Sequence, residues 1–133
     1  MKVLKFGGSS VGTAAHIRLV KNILDQQEGA CIAVISASNG VTDRLMHAAQ
    51  LARDQQAASG ELAQGVRSMH LAMVRDLLTG QARESALAEV NAMLDEFEGI
   101  LQGIHQLRDL SDKTLDLVLS FGERLSSAIV SRY

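Results

Sequence analysis

Proline is absent from the 133 residues, and cysteine occurs once, as Cys31. A single thiol excludes an internal disulfide framework. Its setting in the apolar run "ACIAVIS" predicts a buried structural sulfur rather than a reactive one. No apolar stretch approaches the ~20 residues of a membrane-spanning helix. The N-terminus has no signal-peptide pattern, so a cytoplasmic protein without membrane contact is expected. Excess basic charge is missing as well. The formal net charge is −2, and Lys and Arg form no block, which argues against nucleic acid as a partner. Repeats, low-complexity tracts and linkers are lacking too. The absence of proline suits long helices without requiring them.

What is present is ordinary for a globular chain: 47% apolar and 21% charged residues, with room for one core. Val3-Leu4-Lys5-Phe6 reads as a strand. From Thr13 to about Gln27, apolar residues at Ile17, Val20, Ile23 and Leu24 recur at helical spacing. Gly29 ends that pattern, and Ala30 to Ile35 reads as a second strand, apolar enough to be covered on both faces. Strand, helix, strand is a right-handed βαβ unit, and it delivers both strand ends to one edge of the sheet, where ligands of open α/β folds sit.

The rest is helical in pattern. Segments are expected at Leu45 to Ala58, at Glu61 to Leu78, at Glu84 to about Leu107, and from Asp112, capped by Ser111, to the end. Breaks are expected near Ser59-Gly60 and at Thr79-Gly80, with an interruption at Gly122. Two parallel strands make a poor core, and their open edges invite aggregation. The last residues, "SSAIVSRY", still read as helix. The expectation is therefore an N-terminal piece of a larger protein.

Three stretches can carry chemistry. In "KFGGSSV", Gly7 and Gly8 can take backbone angles other residues avoid and let a ligand approach the main chain. Successive N–H groups there can form an anion nest, with Lys5 adding a full charge and the following helix a partial one. A phosphate suits this arrangement. Yet "FGGSSVG" fits neither the P-loop nor the dinucleotide pattern, and many such turns bind nothing, so both readings stand. In "SASNGVTD", Ser36, Ser38, Asn39, Thr42 and Asp43 either serve only turns and caps, or the hydroxyls of Ser36 and Thr42 face a ligand's anionic oxygens. In "SFGERLSS", Gly122 costs a helix about 1 kcal/mol relative to alanine and asks for a packing or functional reason. Glu123 and Arg124 read as a pair with each other or as solvated charges. His16, His47, His70 and His105 stand apart on presumed helices, and no metal site is expected from them. Met69 and Met73, at helical spacing, read as core.

Taken in order and spacing, "KFGGSSV", "VISASNGVTD" and "LSFGERLSS" resemble the aspartokinases of the amino acid kinase family over essentially the whole chain. The stretch "RDLSDKTLDLVLSFGERLS" and the start of the first motif at the very N-terminus most resemble bifunctional aspartokinase–homoserine dehydrogenases. The resemblance implies the N-terminal part of an α/β/α sandwich, here a βαβ unit followed by a helical segment, with residues 1–133 forming the substrate side of the catalytic domain. It implies transfer of the γ-phosphoryl of ATP, with Mg²⁺, to the side-chain carboxylate of L-aspartate, in a protein that forms a homo-oligomer at full length. Carried onto this sequence, Lys5 touches the phosphates and stabilises the transition state. Gly7, Gly8 and Ser9 form the phosphate loop, Ser36 and Thr42 border the aspartate site, and Glu123 accepts the substrate ammonium. The family's nucleotide-base pocket, its completing catalytic residues and its regulatory domains lie beyond residue 133, so little activity is expected of these residues alone. Two rivals remain: an acetylglutamate or glutamate 5-kinase, and a helical binding module without catalysis.

Overall fold

The computed structural model describes all 133 residues. Strand β1 (Lys2–Phe6) leads into a 3₁₀ turn (Gly8–Val11) and helix α1 (Ala14–Asp25), and strand β2 (Cys31–Ile35) follows. Four helices complete the chain: α2 (Val41–Arg53), α3 (Ala58–Leu77), α4 (Gly80–Leu107) and α5 (Asp112–Val130). The two strands pair in parallel, from Lys2 opposite Cys31 to Phe6 opposite Ile35. The expected βαβ unit and the helical remainder are both present.

Side chains alternate across a strand, so Val3, Lys5, Ile32 and Val34 share one face of this sheet, and all four are exposed. The other face holds Phe6, which is buried, and the half-buried Leu4, Cys31 and Ile35. The expectation that β2 is covered on both faces is therefore not met among these residues. Cys31 is half-buried rather than sealed in. Two strands have too little area to bury each other, and the core lies in the helices instead. Leu45, Leu94, Phe97, Phe121, Leu125 and Ile129 are fully enclosed there, and the Phe97 and Phe121 rings sit 5.7 Å apart in a tilted arrangement. Met73 is buried in the same cluster, and Met69 packs half-buried against it.

Local chemistry sets the helix limits. Thr13 caps α1 by accepting the His16 N–H at 3.2 Å, and Ser111 caps α5 by accepting the Thr114 N–H at 3.1 Å. The break after α2 falls at Asp54 to Ala57, where Gln55 takes a left-handed conformation (φ 57°). It does not fall at Ser59-Gly60, which lie in the first turn of α3. There Ser59 donates to the Ala48 carbonyl at 2.9 Å and ties α3 to α2. Thr79 opens α4 as its N-cap, so that helix starts one turn before Glu84. Helix α5 runs unbroken through Gly122 and ends at Val130. Two arginines hold the C-terminal carbonyls of α3, Arg18 through Asp76 at 2.8 Å and Arg83 through Leu78 at 2.6 Å. They fasten α1 and α4 to the end of α3 where its dipole is negative.

Candidate functional site

The C-terminal end of β1 turns at Gly7, whose backbone is extended (φ −75°, ψ 176°). Neither Gly7 nor Gly8 uses the left-handed region, so the glycines serve space rather than unusual angles. A Cβ on Gly8 would sit 3.1 Å from the Ala37 carbonyl oxygen and 3.5 Å from the Asn39 backbone, whereas around Gly7 nothing lies within 4 Å. Gly8 thus admits the neighbouring loop, and Gly7 leaves the strand end open to an incoming group. The first bond of the 3₁₀ turn is donated by Ser10 N–H to the Gly7 carbonyl at 3.0 Å. The N–H groups of Gly8 and Ser9 precede it and have no acceptor inside the turn. Ser9 is exposed beside them.

Lys5 stands on the open face of the sheet, one residue before Phe6, with no ion pair or side-chain hydrogen bond to the protein. A free lysine on the strand that runs into a turn with unpaired N–H groups is a suitable arrangement for a phosphate.

The second strand end packs onto the first. Ser36 N–H donates to the Phe6 carbonyl at 3.1 Å, continuing the ladder, and Asn39 N–H donates to the Gly8 carbonyl at 3.1 Å. Ser38, buried, donates its hydroxyl to the Val11 carbonyl at 2.9 Å. The 36–42 stretch then enters α2 through Gly40, whose left-handed φ of 78° disfavours any side chain there. Gly40 is the N-cap residue and contributes no side chain, so Ser36 and Thr42 do not act as caps. Ser36 is half-buried and Thr42 exposed, and neither hydroxyl has a partner within the protein. None of these hydroxyls makes a turn or cap bond: Ser38 reaches the distant Val11 carbonyl, and those of Ser36 and Thr42 stay open to a ligand.

Helix α5 closes the third side. Gly122 is buried because α2 and the 36–39 loop press against it: a Cβ there would meet the Ala37 Cβ at 2.7 Å, with Leu45 and Val41 at 3.5 and 3.7 Å. The packing reason sought for this glycine is therefore found, and it leaves the helix whole. Glu123 and Arg124 do not pair with each other. Arg124 reaches Glu96 on α4 at 3.3 Å and lays its guanidinium 4.4 Å from the centre of the Phe121 ring. Glu123 is left exposed and without a cation. One turn on, Ser126 donates to the Ser36 carbonyl at 2.6 Å.

The structure thus brings the strand end carrying Lys5, the Gly7–Ser9 turn, the Ser36–Thr42 segment and the Glu123 turn of α5 into one contiguous edge. The sequence suggests only a turn or cap role for Ser38, whose bond in the fold is long-range, and gives no sign of the Ser126 bond or the Ala37 contact. All three lie within the motifs named above, but a hydrogen bond spanning 90 residues leaves no local signal. No group of three or more His, Cys, Asp or Glu is placed to hold a metal ion, and no helix is long and apolar enough to cross a membrane. A 390 Å³ cleft between α2, α3 and the end of α4, lined by Gln56, Gln64, Gln102 and His105, lies away from this edge.

Comparison with known proteins agrees with the motif reading. The amino acid kinase family matches residues 1–133. An aspartokinase of Chlamydia trachomatis is 34% identical over 131 residues, covering 98% of this chain and 27% of that protein. A bifunctional aspartokinase/homoserine dehydrogenase of Zea mays is 28% identical over 131 residues, covering 97% of this chain and 14% of its own length. Structures of Escherichia coli aspartokinase III superpose with TM-scores of 0.87 (with lysine and aspartate) and 0.86 (with aspartate and ADP). Their identities are 21% and 22%, and they cover 99% and 98% of this chain and 28% of theirs, so they establish a shared fold. The chain spans about a quarter of the length of the aspartokinases it matches. It belongs to the amino acid kinase family.

Proposed function

We propose that this chain is the N-terminal, substrate-side portion of an aspartate kinase catalytic domain. The reaction is transfer of the γ-phosphoryl of ATP to the side-chain carboxylate of L-aspartate, giving 4-phospho-L-aspartate. The observation that carries the reading is the edge itself. A free lysine and unpaired N–H groups lie on β1 and the turn that follows it, and unpaired hydroxyls and a free carboxylate lie on the two segments packed against that turn. Membership in the amino acid kinase family, and the aspartate and ADP held by the fold neighbour, support the choice of substrates.

A carboxylate attacking a phosphoryl group brings two anions together, so catalysis must come from positioning and from cations or N–H dipoles aimed at the phosphoryl oxygens. Lys5 and the N–H groups of Gly8 and Ser9 are built for this task, and Gly7 leaves them room. Ser36 and Thr42 donate hydroxyls to the acceptor's carboxylate oxygens, and Glu123 receives its α-ammonium. The chain offers no acidic cluster for a metal of its own. Mg²⁺ bound with the nucleotide would supply further neutralisation of phosphate charge.

The exposed sheet face at Val3, Ile32 and Val34, and the quarter-length match to relatives, support further strands and helices packing on this unit in the complete protein, which we take to be a homo-oligomer. Turnover by residues 1–133 alone should accordingly be negligible.

The test is hydroxylamine trapping of acyl phosphate by the complete protein with Mg·ATP and L-aspartate. A hydroxamate signal that falls ~10²–10³-fold in Lys5→Ala supports both reaction and residue. A signal only with another amino acid keeps the family and changes the substrate. Silence with every acceptor overturns the kinase reading in favour of a binding module.

A further inference from the structure

The three segments of the site are joined by two buried hydroxyls that touch no substrate in the reading above. Ser126, 1% exposed, donates to the Ser36 carbonyl at 2.6 Å and lies 3.2 Å from the carbonyl of Glu123. Ser38, 2% exposed, donates to the Val11 carbonyl at 2.9 Å. A hydroxyl has one proton to give, and the shorter contact identifies Ser36 as the acceptor from Ser126. That bond crosses from α5 to the end of β2, between the residues assigned to the two ends of the amino-acid acceptor. The Ser38 bond crosses from the acceptor segment to the phosphate turn.

Both acceptors are backbone carbonyls outside regular pairing. Neither bond is needed to form a helix or a strand. Side-chain bonds of this kind set where one backbone segment stands relative to another. The Ser36 carbonyl follows directly on the β1–β2 ladder, so a shift there carries the Ser36 hydroxyl with it. The Ala37 contact with Gly122 fixes the approach of the same two elements but, being apolar, does not fix their register along α5.

We propose that Ser126 and Ser38 are positioning residues with separate duties. Ser126 sets the spacing between Ser36 and Glu123 and so governs binding of the amino acid. Ser38 sets the acceptor segment against the phosphate turn and so governs alignment of acceptor with phosphoryl donor. The assignment of the two ends rests on the aspartate kinase reading. The bonds themselves do not.

The separate duties give separate kinetic signatures in the complete protein. Ser126→Ala raises the acceptor KM about tenfold, the scale of one lost hydrogen bond, and leaves the KM for ATP within about twofold. Ser38→Ala lowers kcat by ~10–100-fold, since small misplacements are costly to aligned reactants, with both KM values nearly unchanged. Ser126→Thr keeps a donor and should restore much of the acceptor affinity. A purely structural role predicts lower thermal stability but wild-type constants for both variants at low temperature, and that result overturns the proposal. So does equal loss of kcat in both, or a Thr variant as poor as the Ala one.

Amide hydrogen exchange supplies a readout that needs no substrate. Ser38→Ala should speed exchange at Ser10 and Asn39 while α3 and α4 stay protected, and Ser126→Ala should speed it at Ser36. Unchanged exchange at these amides overturns the proposal whatever the substrate is. A wild-type protein silent towards aspartate, but with these exchange effects present, rejects the substrate assignment and keeps the positioning role.

Discussion

Gly122 and Ala37 touch with no room for a methyl group between them: a Cβ on Gly122 would lie 2.7 Å from the Ala37 Cβ. Ala37 belongs to the loop that also receives Gly8 and carries Ser36, so this one contact presses α5 onto the site.

Gly122→Ala is therefore expected to destabilise the fold. Overpacking costs about 1–3 kcal/mol, and the gain in helix propensity returns about 1 kcal/mol of it. The contact can be isolated by urea unfolding of Gly122→Ala, Ala37→Gly and the double variant. A double variant more stable than the two single effects predict, by about 1 kcal/mol or more, identifies the methyl clash as the cause. Strict additivity assigns the cost elsewhere.

Gly99 gives the opposite expectation from the same chemistry. It lies in the interior of α4, exposed, with nothing within 4 Å of the position a Cβ would take. Gly99→Ala should raise stability by up to about 1 kcal/mol, seen as a higher urea midpoint at unchanged m-value. A decrease would mean that space at a helical glycine is a poor guide to its role in this chain.

That contrast also marks what the sequence made legible. Both glycines look alike in a helical pattern, and only the contacts separate them. The strands at Lys2–Phe6 and Cys31–Ile35, the helix opening at Thr13 and the Ser111 cap could be read because their causes are local: alternation, apolar spacing and a side chain reaching three residues on. The α2–α3 break was misplaced because Ser59-Gly60 looks like a breaker. The turn is made instead at Gln55, whose amide reaches the His105 carbonyl at 3.1 Å, a partner 50 residues away. The site followed the same division. Topology alone puts Lys5 and Ser36 at one sheet edge. The freedom of Glu123, by contrast, depends on Arg124 being taken up by Glu96 and Phe121, which only the fold reveals.

Glu123 bears on the acceptor end of the site. It is exposed and unpaired, so Glu123→Gln should leave stability nearly untouched while raising the acceptor KM by tenfold or more, on the scale of a lost charge-assisted hydrogen bond. The KM for ATP should hold. Initial rates against both substrates in the complete protein separate these effects. A change in the ATP constant alone would move Glu123 out of the acceptor site.

Arg67 holds α3 against α4 through three partners: Glu98 at 3.1 Å, Asp95 at 2.6 Å and Asn91 at 2.8 Å. Its guanidinium is held above its usual pKa, first by the hydrogen bond it donates to Glu98, with burial opposing and Asp95 assisting. The arginine is mostly buried, but Asp95 is open to water, so screening trims the network's worth. Arg67→Met should cost about 1–2 kcal/mol, and the cost should shrink in 1 M salt, where exposed attractions are screened. Equal costs at low and high salt would assign the loss to packing of the arginine stem instead.

His70 provides the pH-dependent element. It is fully buried in α3, and its Nδ1 stands 2.7 Å from the Val66 carbonyl. A carbonyl can only accept, so Nδ1 carries the proton and Nε2 is left as a bare acceptor with no partner. Protonating Nε2 would place a charge in an apolar interior. Burial accordingly pushes the His70 pKa down, with the Val66 hydrogen bond pulling the other way. A lowered native pKa means that the unfolded chain binds a proton first as pH falls. Above about pH 6.5, the unfolded value, the ring is neutral in both states and exerts no pH effect. Below it, the unfolded state is favoured by up to about 1.4 kcal/mol per pH unit until the native pKa is reached. His70→Leu removes both the titration and the orphaned nitrogen, so the variant should gain on wild type between pH 7 and 5 when urea unfolding is compared at each pH. A stability difference that stays constant across that range would show that His70 does not titrate between the folded and unfolded states.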